Sequence, residues 1–407
     1  MQELQISLMN SDGYQPEAEI RPFLDQFEAE HRCRIRVRMI PWETGRDELV
    51  DIALHGHGKG PDISEIGTSW CSSFSAMEAL RPFSPGELIS MGGSAAFFPA
   101  AWRTGQLFGE DRMIGIPWLA SVRVLYYRRD LLAKAGIDEK TAFQSFSALV
   151  NTLACLKASG IPMPLVLPTR NTIIPLLHSL ASWVWGAGGG FVSIDGTHTL
   201  FNQPETLAGI RAFLALSQFL SPEARGLDLS EAEMLFWRGE AAVAPSLQSP
   251  PILATITKIA APNTIKNLGV ASLPGRIPFI GGSNLVVWRH IAPAHEDLAI
   301  KLVRFLTGQQ VQSIYNTKIN YFPTRLDVMQ SPPFSTDEFH PVLMDGLNSG
   351  RSFPAITRWS IVEDRLIQVL GQLWEDVLSD PNRDMDAIIT ARLIPLANRL
   401  DTILQSA

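Results

Sequence analysis

The chain has 407 residues, 46% of them apolar and 9% aromatic. At about 150 residues per domain that length predicts two or three domains, and the apolar content argues against a disordered scaffold. Thirty-four Lys and Arg against 41 Asp and Glu give a net charge of −7, which lacks the basic footprint that nucleic-acid binding needs.

Leu4, Ile6 and Leu8 alternate with polar residues and predict a strand, followed by the polar turn Asn10-Ser-Asp-Gly13. Ile20, Phe23, Leu24 and Phe27 recur at spacings of three and four and predict a helix, with Pro22 early in it. Ile35, Val37 and Met39 alternate with Arg34, Arg36 and Arg38 in a second strand that Pro41 stops. Strand, helix, strand at this spacing is a βαβ unit, so a parallel sheet covered by helices is expected. Val122 to Tyr127 reads as a further strand, and Asp130 is placed to cap a short helix that Gly136 ends. Pro204 to Phe219, Glu296 to Leu306 and Ile361 to Leu378 are amphipathic helices. The last sets Val362, Leu366, Val369, Leu373 and Val377 on one face.

A membrane-spanning helix needs about 20 consecutive apolar residues, and the best candidate, Ala181 to Val192, is shorter and holds four glycines. The start, Met1-Gln-Glu-Leu-Gln, is acidic and strand-like rather than a signal peptide. Two readings stay open: a mature exported chain given a new Met1, or a cytoplasmic protein with a native start. Cys33, Cys71 and Cys155 form no CxxC and no metal-type cluster, so packing must supply the stability.

Catalysis finds little support. His55-Gly-His57 is the only close histidine pair and lacks a third ligand, and no G-x-S-x-G, H-E-x-x-H or P-loop motif occurs. No enzyme, cofactor or metal site is expected. Gly186-Ala-Gly-Gly-Gly190 opens no helix after a strand and reads as a bend or a close backbone approach. The ten tryptophans are the stronger signal, because several sit at Pro- or Gly-marked joints: Trp42, Trp70, Trp118, Trp185 and Trp359. Aromatic faces suit the C–H faces of sugar rings, with neighbouring polar groups to bond hydroxyls. Trp183 and Trp288, among apolar neighbours, are assigned to the core. Arg123, Arg128 and Arg129 are read as solvated charges.

Five ordered blocks carry a family resemblance. They are Gly58-Lys-Gly-Pro-Asp-Ile-Ser-Glu-Ile-Gly-Thr-Ser-Trp70, and Gly115-Ile-Pro-Trp118 with Arg123-Val-Leu-Tyr-Tyr-Arg-Arg-Asp-Leu-Leu-Ala-Lys-Ala-Gly136. Then come Phe236-Trp-Arg-Gly-Glu-Ala-Ala-Val-Ala244, Leu273-Pro-Gly275 with Gly281-Gly-Ser-Asn-Leu285, and Ala299 to Leu306 with Tyr321-Phe-Pro-Thr-Arg325. In this order, over nearly the whole chain, they resemble family 1 of the extracellular solute-binding proteins of ABC transporters, the maltose-binding-protein type.

The resemblance implies an α/β, two-lobed periplasmic-binding-protein fold (type II, Venus-flytrap), each lobe a sheet flanked by helices, with a hinge and an interlobe cleft. Residues 1–116 and 265–320 would form the N-terminal lobe, and 117–264 with 321–407 the C-terminal lobe. It implies a monomeric receptor that binds a sugar, oligosaccharide or polyol and delivers it to ABC permease transmembrane subunits, outside the cytoplasmic membrane if an export signal has been removed. The family's cleft loops map onto Asn10, Ser11, Asp12, Trp42, Glu43, Trp70, Trp118, Trp185, Gly282, Ser283, Asn284, Arg358 and Trp359. Of these, Trp118, Trp185 and Trp359 are expected as stacking walls, and Asn10, Glu43, Asn284 and Arg358 as hydroxyl pins. Asp62 is assigned to a strand end. Where members often carry an acidic residue after Pro-Trp, this chain has Leu119-Ala-Ser-Val122, which leaves the cargo open. A cytoplasmic carbohydrate sensor with the same fold, and then a glycoside-processing enzyme, rank behind the transport receptor.

Overall fold

The computed structural model describes residues 2–10, 16–55, 60–109, 111–170, 174–247, 259–319, 321–380 and 383–406. Its strands are β1 (Glu3–Asn10), β2 (Arg34–Pro41), β3 (Ile63–Gly67), β4 (Ile116–Val122), β5 (Val124–Arg128), β6 (Val243–Leu247), β7 (Leu268–Ala271), β8 (Ile280–Val287) and β9 (Phe322–Pro323). They form a six-stranded sheet, β2-β1-β3-β8-β4-β9, and a three-stranded sheet, β6-β5-β7. The expected parallel arrangement holds for β2, β1 and β3; β8 enters antiparallel beside β3 and makes the larger sheet mixed.

The alternation in β1 sends Leu4, Ile6 and Leu8 into an apolar cluster with Ile20, Leu24 and Phe27 of helix Pro16–His31. That helix starts earlier than the periodicity indicates, so Pro22 lies at its seventh position, inside the hydrogen-bond ladder rather than in the first turn. The opposite sheet face packs Met9, Ile40, Ile66 and Trp288 against Leu49 and Phe74 of helices Trp42–His55 and Cys71–Ala76. Asp62 holds the strand end as expected: it accepts from the Gln5 amide at 2.8 Å and its own amide donates to the Gln5 carbonyl at 2.8 Å. A third and larger cluster surrounds the smaller sheet and takes in helices Ile174–Gly186, Pro204–Leu214, Trp359–Ser379 and Met385–Gln405.

The chain passes between the sheets at Arg123, again between β7 and β8, and a third time beyond β9. The first two crossings touch, since the Arg123 amide donates to the Phe279 carbonyl at 3.1 Å. The strand expected over 122–127 is thus two strands broken at Arg123, one in each sheet. Strand β4 belongs to the larger sheet and β7 to the smaller, although the expected lobe division at 116/117 and 264/265 puts each on the other side. Asp130 caps nothing; it pairs with Arg128 at 2.6 Å, while helix Arg129–Lys134 ends near Gly136, whose φ is +71°. The close approach expected of 186–190 is present: a Cβ on Gly275 would lie 2.4 Å from the Gly186 Cα.

Candidate functional site

In open α/β sheets ligands bind outside the carboxyl ends of the parallel strands, where helix N-termini gather. Here those ends are Asn10, Pro41 and Gly67. Asn10 is half-buried opposite Pro41 in the β1–β2 register. Trp42 and Glu43 open the next helix, with Trp42 half-buried and Glu43 exposed in the first turn, where a negative charge suits the helix dipole. Trp70 precedes the third helix and is packed edge-on against Trp42, with ring centroids 5.4 Å apart. Ser11 and Asp12 lie outside the described residues.

The N-terminal part of helix Trp359–Ser379, which belongs to the cluster around the smaller sheet, packs against helix Cys71–Ala76 of the larger sheet. Arg46 Nη1 lies 2.9 Å from Asp364 Oδ1. Glu363 is 1% exposed, accepts from Trp359 Nε1 at 3.3 Å, and meets the Ser69 side chain. Burial pushes its carboxyl up to about 7, opposed by the charge of Arg46 and by hydrogen bonding to Ser69 and Trp359. Its Oε2 has no hydrogen-bond partner among the described residues. The Phe108 amide donates to the Ala355 carbonyl at 3.1 Å beside this contact.

Several residues expected in the cleft have other work. Trp118 is fully buried among the apolar residues of the larger sheet and stacks on Tyr315 at 5.4 Å and 12°. Asn284 is fully buried as well, and its amide donates to Thr104 Oγ1 at 3.0 Å and Cys71 Sγ at 3.2 Å. Gly282, at φ +123°, lets β8 pass β4: a Cβ there would sit 1.9 Å from the Leu119 carbonyl oxygen. Ser283 is buried at the Glu65 carboxyl. Glu65 also accepts from the Met9 amide at 2.8 Å, and burial pushes it up to about 7. Arg358 Nη1 donates to Ser406 Oγ at 3.1 Å.

Trp185 and Trp359 do come together. Both pack on Phe353, at 5.5 and 4.4 Å, within an aromatic cluster that includes Phe191. Trp183 and Trp288 are core residues, as expected. Arg123 and Arg128 are buried rather than solvated. Arg128 pairs with Asp130, whereas Arg123 Nε and Nη1 have no partner among the described residues, and burial lowers the Arg123 guanidinium to about 10. Arg129 is half-buried, paired with Glu139 at 3.2 Å and seated over the Phe339 ring.

Sequence reasoning passed over Arg46, Glu363 and Asp364. The one available signal was Glu363 itself, an acid beside the apolar stripe that starts at Val362 and four residues beyond Trp359. The three cysteines are unpaired, and the described residues hold no cluster suited to a metal ion. No described helix is long and apolar enough to cross a membrane.

Comparison with known proteins gives the fold and the family. A relative from Escherichia coli, the putative ABC transporter periplasmic-binding protein YcjN, is 25% identical over 65% of this chain and 59% of its own length. The diacetylchitobiose binding protein DasA of Streptomyces coelicolor is 23% identical over 87% of this chain and 80% of its own. The solved structure of the sugar-binding protein MalE from Xanthomonas citri superposes with a TM-score of 0.82 at 20% identity, over 99% of this chain and 98% of that one. This likeness makes the fold the two-lobed periplasmic-binding-protein architecture. A family model described as bacterial extracellular solute-binding protein matches residues 23–341, and the chain belongs to that family.

Proposed function

We propose that this chain is the receptor of an ABC importer, that it binds a sugar, oligosaccharide or polyol between its lobes outside the cytoplasmic membrane, and that it hands the solute to the permease. One lobe comprises the larger sheet, with residues up to 122 and 280–323. The other comprises the smaller sheet, with 124–271 and the chain beyond 323. The observation that supports the reading is that Trp42 and Glu43 open a helix at the carboxyl end of β2, and that Arg46 of the same helix meets Asp364 of the other lobe. An aromatic face and a carboxylate together stack on and hydrogen-bond a hydroxyl-rich ring. The diacetylchitobiose in the name of the Streptomyces relative supports the carbohydrate class. A solute that touches both lobes binds the closed form better than the open one, and that difference drives closure.

The contact set we assign is Asn10, Trp42 and Glu43 from one lobe and Trp359 from the other, with Ser11 and Asp12 carried as candidates; Trp359 is as buried as Trp118 but adjoins the lobe contact through Glu363. A thermal-shift screen with mono- and oligosaccharides, polyols and sugar phosphates tests the class. A ligand at a hundred times its Kd adds about 2.7 kcal/mol of stability. Trp42→Phe, which keeps a ring against Trp70, should weaken the responding sugar severalfold with little change in the ligand-free melting point. A screen in which no carbohydrate or polyol shifts the melting point overturns the reading.

A further inference from the structure

The contact between helix Trp359–Ser379 and the opposite lobe is unlike the lobe interiors, because it is polar. Arg46 and Asp364 come from elements 318 residues apart in sequence and meet at 2.9 Å, with side chains 22% and 55% exposed. One residue before Asp364, Glu363 turns inward to Trp359 and Ser69. Neither pair lies within one lobe, so both contacts exist only while the lobes touch. We propose that Arg46–Asp364 and Ser69–Glu363 form a latch across the cleft mouth that sets the closure equilibrium of the ligand-free protein, and that closure weakens as pH rises from about 5 to 7. This rests on closure of the two lobes, not on the identity of the solute.

The pH term follows from the surroundings of Glu363. The charged groups acting on it are Arg46 from the other lobe, which favours its carboxylate, and Asp364 on its own helix, which opposes it; Ser69 and Trp359 are neutral. In the closed form burial raises its carboxyl from 4.5 to about 7. In the open form Ser69 and Arg46 withdraw and water reaches the carboxyl, so it returns toward 4.5. A group that holds its proton more tightly in the closed form favours closure at low pH. That advantage is full below 4.5 and is gone once pH has risen through 7.

Electron–electron distance measurements on the ligand-free protein test this. Nitroxides go on Ile89→Cys and Ile194→Cys, both exposed and one in each lobe, with the exposed Cys155 replaced by Ser. Arg46→Asp and Asp364→Arg should each lower the ratio of short to long distances about two- to five-fold, as expected for a partly exposed ion pair. The double variant should recover most of it. In the parent the ratio should fall by roughly fifty- to a hundredfold between pH 5 and 8, and Glu363→Gln, which keeps an acceptor for Trp359 Nε1, should flatten that profile. Distances unchanged by the single substitutions, a double variant no better than either, or an unaltered profile in Glu363→Gln would overturn the latch. The readout needs no ligand, so a failed carbohydrate screen would leave it standing.

Discussion

Replacing Trp118 with Ala separates the two roles that a tryptophan at a Pro-Trp joint can have. The indole is fully buried and stacks on Tyr315. Its Nε1 has no partner among the described residues, so truncation there removes packing and no hydrogen bond. Deleting a buried tryptophan costs about 3–5 kcal/mol, and loss of the Tyr315 stack, worth about 0.5–1.5 kcal/mol, places this site in the upper half of that range. Trp118→Phe keeps a ring against Tyr315 and sheds the unpaired N–H, so it should cost about 1–2 kcal/mol. Urea unfolding followed by circular dichroism, without ligand, reads both variants, since fluorescence would be confounded by the lost indole. A two-lobed chain need not unfold in one step, so the figure to compare is the transition of the lobe built on the larger sheet. The reasoning fails if Trp118→Ala costs less than about 1 kcal/mol while removing sugar binding. That outcome would return Trp118 to the cleft wall.

Gly282→Ala should be worse tolerated than its size suggests, because the new Cβ meets a backbone oxygen at 1.9 Å with φ at +123°. A loss of at least about 3 kcal/mol in unfolding free energy by urea titration, or insoluble expression, is expected. Glu65 gives a pH signature of folding stability. Its carboxyl moves from 4.5 when unfolded to about 7 when folded, so its contribution is present below 4.5 and lost as pH rises through 7. The loss amounts to about 3 kcal/mol. Glu65→Gln, which can still accept from the Met9 amide, should therefore be stabilised relative to the parent at pH 8 and nearly equal to it at pH 4.5. Parallel stability curves for the two proteins across pH 5–8 would contradict the assignment.

Local periodicity made the first βαβ unit legible, because β1 and the following helix bury the residues their spacing marks, and β2 buries Ile35 and half-buries Val37 and Met39. It also gave the long helix of 359–379 almost to its ends. The reach of periodicity stops where a residue's role depends on a partner far along the chain. Asn284 looks like a turn residue in Gly-Gly-Ser-Asn, yet Thr104 and Cys71, 180 and 213 residues away, make it a brace between β8 and the helices beside it. Trp118 had the joint position expected of a cleft wall, but β4 is buried on both faces and its tryptophan faces Tyr315. Arg123 looked like a surface charge in an alternating strand, and only the crossing between sheets reveals it as buried. The strand end that precedes Trp42 and Glu43 was legible, because Pro41 stops the alternation of β2.

The distribution of polar groups explains why such a molecule can respond to a small solute. Its lobe cores are apolar and continuous, so each lobe is held by many contacts that do not change on closure. The contact of helix Trp359–Ser379 with the opposite lobe is polar, whereas near the crossings the lobes share apolar packing that includes Phe98, Ala120 and Val122. A half-exposed pair such as Arg46–Asp364 contributes about 0–1 kcal/mol, and one backbone hydrogen bond, Phe108 to Ala355, about 0.5–1.5 kcal/mol. At Glu363 the buried oxygen without a partner costs about 1–3 kcal/mol, which the contact with Ser69 and the proton held below pH 7 offset. The polar terms at this helix are each on the order of 1 kcal/mol, so a solute that bridges the lobes can outweigh them. A solute then needs only a modest preference for the closed form to reverse the populations, because a shift from 1:99 to 99:1 takes about 5.5 kcal/mol and a balanced start takes about half of that. Replacing the polar contact with an apolar one would fix the lobes together and leave the cleft unable to admit its cargo.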